Sequence, residues 1–316
     1  MVAHAPIVTL TMNPALDVSS ATEQVVPEHK LRCGPSRFDP GGGGVNVSRA
    51  IRNLGGNSIA ICPLGGPTGQ AYRGFLEQEG VLARVVGVAG NTRESFTVDE
   101  LSTGDQFRFV LQGPTLREPE WRACLSVVGD VLPVGGYLVA SGSLPPGVPD
   151  DFYALLARIC GEHDVRIVVD ASGPALEAAL DQRVFLIKPS LRELAELVGA
   201  GDTLDEADQV EAARAIVAGG RAEIVALSLG GAGAMLATAD GVLRLPTPRV
   251  EVQSTVGAGD AFLAGLVLRL AEGRTVAEAF RTAVAAGSAT AMLEATGLCR
   301  AEDVARLEAR LAAAPA

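Results

Sequence analysis

The chain has 316 residues, 48% hydrophobic and 20% charged, enough to bury a large core and without the polar bias of a disordered protein. A formal net charge of -11 disfavours nucleic acid or a membrane surface as partner, because most of the protein would repel either polyanion. No basic segment leads into an apolar run at the start, and no apolar stretch reaches the ~20 residues that span a bilayer, so a cytoplasmic protein is expected.

Short runs rich in Val, Ile and Leu alternate along the chain with longer stretches of helical periodicity. The pattern predicts a strand at 7–12, a helix at 45–54, a strand at 58–62, a helix at 118–129 and a strand at 137–141. A helix at 151–160, strands at 166–170 and 184–187, helices at 191–198 and 207–218 and a strand at 224–228 follow. Helices at 258–270, 276–293 and 301–312 close the chain. Continuous apolar strands between helices are the mark of a parallel sheet covered on both faces, a doubly wound α/β core. Two segments, about 18–39 and 93–111, break the rhythm. In them Ser95-Phe96-Thr97-Val98 and Gln106-Phe107-Arg108-Phe109-Val110 read as antiparallel-type strands. No Ser/Gly-rich linker flanks either segment, so one domain over 1–316 is expected, with the two segments forming a small β-sheet lid. Exposed edges in so small a sheet favour pairing with a second copy, hence a homodimer joined through the lids. The five cysteines are scattered without a C-x-x-C pair, and three histidines leave little for a His-based metal site.

Two glycine-rich turns carry the chemistry. Ser254-Thr255-Val256-Gly257-Ala258-Gly259-Asp260 runs straight into the apolar stretch Ala261-Phe262-Leu263-Ala264-Gly265-Leu266. Glycines permit close approach of a ligand, and the free N–H groups and dipole of a first helical turn attract an anion. Asp260 then either stabilises its own helix N-terminus or stands as a base beside a reacting phosphate. The second turn, Gly41-Gly42-Gly43-Gly44-Val45-Asn46-Val47, is either a flexible entry to a helix or a side-chain-free wall for a ligand dense in hydroxyls, such as a sugar.

These turns fall in an ordered series. Asn13-Pro14-Ala15-Leu16-Asp17 precedes the glycine string; Ser141-Gly142-Ser143-Leu144-Pro145-Pro146-Gly147, Lys188-Pro189 before Glu193, Ser228-Leu229-Gly230 and the turn at Asp260 follow it. The series resembles the phosphofructokinase B branch of the ribokinase-like carbohydrate kinases along nearly the whole chain. Within that branch, Lys30-Leu31-Arg32-Cys33, Gln106-Phe107-Arg108-Phe109-Val110, Ser254-Thr255-Val256 and Val284-Ala285-Ala286-Gly287-Ser288 are most similar to the minor bacterial 6-phosphofructokinases. The resemblance implies a three-layer α/β/α core with a mostly parallel sheet and a small lid. It also implies ATP-dependent phosphorylation of a ketohexose phosphate, fructose 6-phosphate to fructose 1,6-bisphosphate. Sister activities with the same motifs are 1-phosphofructokinase and tagatose-6-phosphate kinase.

By the same resemblance Asp260 is the general base, and Gly257, Ala258 and Gly259 form the anion hole. Asp17, Gly42, Gly43, Asn46 and Ser141 match the sugar side, and Lys30, Arg32, Arg93 and Arg108 match cations for the 6-phosphate, some from across a subunit boundary. Lys188, Ser190, Ser228, Gly230, Gly231, Gly233 and Thr255 match the ATP side, with Glu193 organising Mg²⁺ through water. Ser190 stands where Asn is usual; its shorter hydroxyl still donates to a phosphate oxygen or a metal-bound water. Ser254 and Val256 match a potassium site of backbone carbonyls, although Leu293-Glu294-Ala295-Thr296-Gly297 departs from the pattern there. Two other classes compete. An NAD-dependent dehydrogenase would carry G-x-G-x-x-G after the first strand, where Asn13-Pro14 stands instead. A non-catalytic sugar-phosphate sensor would have no need of Asp260 beside the anion-hole glycines.

Overall fold

The computed structural model describes residues 4–132 and 134–313. Its elements begin β1 (Ile7–Leu10), β2 (Ala15–Thr22), β3 (Arg37–Gly41), α1 (Gly43–Asn53), β4 (Ile59–Leu64), α2 (Gly66–Gln78), β5 (Leu82–Gly87), β6 (Arg93–Glu100) and β7 (Gln106–Val110). They continue with α3 (Glu118–Asp130), β8 (Tyr137–Ser141), α4 (Phe152–Glu162), β9 (Arg166–Asp170), α5 (Gly173–Leu180), β10 (Val184–Ile187), α6 (Leu191–Leu197), α7 (Glu206–Ala218) and β11 (Ala222–Ser228). The last are β12 (Ala234–Thr238), β13 (Gly241–Leu245), α8 (Ala258–Ala271), α9 (Val276–Ala291) and α10 (Ala301–Ala313).

Nine strands form the main sheet in the order β13-β12-β11-β10-β9-β8-β1-β4-β5. From β5 to β11 every pairing is parallel; β12 and β13 add an antiparallel edge. Side chains alternate across the pleat, so successive residues of one strand serve opposite layers. Ile7, Tyr137, Val139, Val168 and Leu186 pack with α1, α8, α9 and α10, while Val8, Leu10, Leu138, Ala140 and Ile187 pack with α3 to α7. A third cluster joins Ala60 and Cys62 of β4 to Tyr72 and Leu76 of α2. This is the expected three-layer α/β/α core. α8 is apolar on all sides, and every residue from Ala261 to Leu268 is buried, as a helix enclosed by the sheet and its neighbours α1 and α9 must be.

The sequence reading missed α2, α5, β5, β12 and β13. α2 and α5 open on Gly66-Pro67 and Gly173-Pro174, pairs that look like turns; here the proline occupies the first helical turn, where its missing N–H costs nothing. The small sheet has the order β3-β2-β6-β7. Its outer pairings are antiparallel as expected, but the central β2–β6 pairing is parallel, Ala15 opposite Arg93 through Thr22 opposite Glu100. Both strands leave the carboxyl ends of parallel strands, β1 and β5, and therefore set out in the same direction. β2 begins at Ala15, three residues before the predicted segment, which puts Asp17 on a strand. Among the described residues no helix is long and apolar enough to cross a membrane.

Candidate active site

Chain direction along the main sheet reverses at β1, with β4 and β5 laid to one side and β8 to β11 to the other. Such a switch point opens a crevice at the carboxyl ends of the strands. Four expected or neighbouring polar residues sit at those ends: Ser141 closes β8, Asp170 closes β9, Lys188 follows β10 and Ser228 closes β11. The buried Lys188 Nζ lies 3.1 Å from Asp170 Oδ1, and Ser141 Oγ donates to Asp170 Oδ2 at 3.2 Å. Burial alone would lower the Lys188 pKa, but the charge and hydrogen bond of Asp170 outweigh it and raise it, keeping the ammonium charged.

The N-terminus of α8 faces this row. Gly257 is left-handed, φ 75°, and a Cβ there would meet Leu298 Cδ2 at 2.7 Å, so both backbone and space call for glycine. The first helical bond is Ala261 N–H to Gly257 carbonyl at 2.9 Å; among the described residues the N–H groups of Gly259 and Asp260 have no backbone acceptor. They are available to an anion. Lys188 Nζ lies beside the same turn, 3.4 Å from where a Gly259 Cβ would be. Asp260 Oδ2 accepts from Asn46 Nδ2 at 2.9 Å. Burial and the Asp170 charge push the Asp260 pKa up to about 7, against the lowering effects of the Asn46 hydrogen bond and Lys188.

Two cavities meet at this helix start. One, of about 200 Å³, lies between the small sheet and α8, lined among others by Asp17, Gly42, Asn46, Arg93, Arg108 and Asp260, with Val256 and Gly257 at its floor. Burial pushes Asp17 up to about 6 despite the opposing charges of Arg49, Arg108 and Arg93. Gly41 makes room for that carboxylate, since a Cβ at 41 would fall 1.9 Å from Asp17 Oδ2. Arg93 is fixed by Nη2 donating to the Asn13 carbonyl at 2.9 Å and Nη1 to that of Leu111 at 3.1 Å. The second cavity, about 290 Å³, has Ser228, Gly230, Gly231, Gly233, Thr255 and Gly259 on one side. Thr247, Val250, Val252, Phe262, Val284 and Ser288 also line it, making a mainly apolar slot suited to a flat ring.

Several expected residues stand elsewhere. Lys30 and Arg32 are exposed on the loop between β2 and β3 and do not line the smaller cavity. Ser141 and Gly43 do not line it either: they pack against each other, and the hydroxyl donates to Asp170. Ser190 caps α6: its Oγ accepts from Glu193 N–H at 3.3 Å while its own N–H donates to Glu193 Oε2 at 2.7 Å. Among the described residues the hydroxyl has no acceptor and the second Glu193 oxygen no donor. Ser254 Oγ accepts from Val256 N–H at 3.2 Å. Among the described residues the carbonyls of Ser254 and Val256 take no hydrogen bond, which suits a site for a large monovalent cation. Among the described residues no group of three or more His, Cys, Asp or Glu is placed to hold a metal ion alone. The reading of the sequence overlooked Asp170 and Arg49. An acidic residue ending one buried strand opposite a lysine ending the next was the available sign for Asp170.

The model of the pfkB family carbohydrate kinases matches residues 3–303. The chain is 44% identical over 300 residues to ATP-dependent 6-phosphofructokinase isozyme 2 of Mycobacterium tuberculosis, covering 95% of this chain and 88% of that protein. It is 35% identical to 1-phosphofructokinase of Bacillus subtilis, covering 92% and 94%. Phosphofructokinase-2 from Escherichia coli in complex with potassium superposes with a TM-score of 0.94 at 40% identity, covering 98% and 99% of the two chains. The same enzyme in complex with fructose-6-phosphate gives a TM-score of 0.92 at 39% identity with the same coverage.

Proposed function

The chain belongs to the pfkB family of carbohydrate kinases and is an ATP-dependent sugar kinase, and on that footing we propose that its acceptor is fructose 6-phosphate and its product fructose 1,6-bisphosphate. The observation that carries this reading is that one turn, 255–260, lines both a charged cavity, through Val256, Gly257 and Asp260, and an apolar one, through Thr255, Ala258 and Gly259. ATP occupies the apolar slot with its γ-phosphate at the start of α8. The sugar phosphate occupies the smaller cavity with its C1 hydroxyl at Asp260 and its 6-phosphate toward Arg93 and Arg108. Asp260 takes the C1 proton, the alkoxide oxygen bonds to the γ-phosphorus, and the bond to the β–γ bridging oxygen breaks, releasing ADP. The N–H groups of Gly259 and Asp260 and the Lys188 ammonium hold the charge that gathers on the moving group. Asp17 and the Asn46 amide orient the sugar hydroxyls.

Mg²⁺ bound to the ATP phosphates would neutralise their charge, and Glu193 would hold it through water with its free oxygen. Potassium would sit against the carbonyls of Ser254 and Val256, stiffening the turn. The two halves of the small sheet, 18–39 and 93–111, act as a lid on one domain, and their apolar faces pair in a homodimer. Phe38 on β3 and Phe109 on the edge strand β7, which share one face of that sheet, are 45% and 54% exposed, a costly arrangement for a lone chain. In such a dimer Lys30 and Arg32 would reach the partner's 6-phosphate.

One preparation tests these points. A coupled ADP-release assay with fructose 6-phosphate, fructose 1-phosphate, tagatose 6-phosphate, fructose and ribose should show a clear preference for the first. A preference for fructose 1-phosphate or tagatose 6-phosphate would replace the acceptor, and no turnover of any with Mg-ATP would sink the reading. Potassium should accelerate the reaction relative to tetramethylammonium, and light scattering at micromolar concentration should give a dimer; equal rates or a monomer would remove those parts.

A further inference from the structure

Asn46 reaches Asp260 through one end of an amide whose two ends differ in kind: Nδ2 donates, whereas Oδ1 would repel a carboxylate. Something must hold the amide the right way round. Arg49, one turn further along α1, donates from Nη1 to Asn46 Oδ1 at 3.2 Å. Its guanidinium is held from every side. Nε and Nη2 grip the two oxygens of Glu79 at 2.6 Å each, Nη2 also reaches Asp39 Oδ1 at 3.3 Å, and Nη1 reaches the Pro40 carbonyl at 3.3 Å.

The surroundings make this arrangement hard to explain as packing alone. The Arg49 side chain is only 6% exposed, on a helix whose neighbours Val45, Val47 and Ile51 are buried apolar residues. An apolar residue of similar volume would serve the core as well or better than a buried ion cluster. Glu79 caps the C-terminus of α2, the helix end where a negative charge is disfavoured, so its position is stabilised by Arg49 and not by its own helix. Asp39, on β3, is held in turn by Arg37 at 2.7 Å and by Thr296 Oγ1 at 2.6 Å. The cluster thus ties α1, the end of α2, a strand of the small sheet and the loop after α9 to one guanidinium.

We propose that Arg49 is a positioning residue for phosphoryl transfer: it locks the Asn46 amide so that Nδ2 stays on the Asp260 carboxylate. This deepens the reading of Asp260 as the base and rests on it. The groups facing Asp260 are Asn46 from α1, Asp17 from β2, Asp170 at the end of β9 and Lys188 after β10. Those facing Arg49 are Glu79 and Tyr72 of the α2 region and Asp39 of β3, with Asp17 of β2 in its field. Loss of the Asn46 hydrogen bond removes one of the two influences holding Asp260 down, so Asp260 titrates higher.

Arg49→Lys is the informative variant, because it keeps the charge yet replaces the rigid fork, whose separate nitrogens meet Glu79 and Asn46, with one freely rotating ammonium that fixes neither orientation. With fructose 6-phosphate and Mg-ATP it should lose roughly 10-fold in kcat. KM for ATP should stay within about twofold, and the acid limb of kcat/KM for the sugar should rise by about half a pH unit or more. The substrate's own ionisation is common to all variants and cancels in the comparison. Asn46→Ala should show the same limb shift, and the double variant should shift it no further, since the two act through one contact. A wild-type limb in Arg49→Lys, or shifts that add in the double variant, would overturn the proposal. So would a shift confined to Arg49→Gln, which would trace the effect to charge. Should Arg49→Lys not fold, Glu79→Gln loosens the far end of the guanidinium from a half-exposed position, and an unshifted limb there counts against the proposal equally. Absence of an acid limb in the wild-type enzyme would instead indict Asp260 as base.

Discussion

Asp260→Asn should lower turnover by about 10²-fold or more with little change in KM for either substrate, because the amide keeps the shape and the contact with Asn46 but cannot take a proton. The same change should stabilise the fold. Asp260 titrates at its ordinary value in the unfolded chain and at about 7 when folded, so the folded state is penalised whenever the carboxylate is ionised. The penalty is absent below the ordinary carboxylate range, grows as pH rises, and is complete above about 7. At roughly 1.4 kcal/mol for each pH unit that separates the folded from the unfolded titration, it reaches on the order of 4 kcal/mol at pH 8 and about half that at pH 5.5. Urea unfolding of both proteins at the two pH values, beside initial rates of ADP release, measures everything required. Near-normal turnover in the variant would remove Asp260 as base; equal stability at pH 8 would show that the carboxylate is not desolvated.

The second large effect concerns the pair at the strand ends. Lys188→Met deletes the cation that compensates Asp170 in a dry site, and should cost about 3–5 kcal/mol at pH 8, with turnover lost as the transferring charge loses its ammonium. Asp170 then takes up a proton more readily, so the loss should shrink as pH falls. Adding Asp170→Asn to Lys188→Met should restore most of the stability and none of the activity. Unfolding curves of the two variants matching each other and falling far below wild type would show that the pair is not the source of the loss.

How far the sequence reached can be followed in individual segments. Strands at 137–141, 166–170 and 184–187 have the bounds read from the apolar runs, because each is a short hydrophobic block ended by a polar residue and buried on both faces. α2 and α5 hid behind Gly-Pro pairs, and β12 and β13 are short strands, the first rich in alanine and the second at the edge of the sheet. Asp17, Gly42, Asn46, Arg93, Arg108 and Asp260 were singled out from segments far apart in the chain, and they line one cavity. Arg49 was not legible. On α1 it reads as a charge on the open face of an amphipathic helix, and only the ends of β3 and α2, brought there by the fold, turn that face inward. Lys30 and Arg32 show the reverse failing: the resemblance marks them, yet within one chain they stand exposed on the loop between β2 and β3, away from the cavity that Arg93 and Arg108 line.

The parallel seam of the small sheet has a consequence for how the molecule is assembled. β2 and β6 are joined by a connection that passes through α1, β4, α2 and β5, so their pairing closes a long loop of chain. Neither hairpin-like half, β2 with β3 or β6 with β7, can complete the sheet alone, and the seam registers only after β1, β4 and β5 have aligned side by side. The small sheet should therefore be a late event in refolding, with the slow, non-local kinetics of high contact order, and its first appearance should coincide with the recovery of activity.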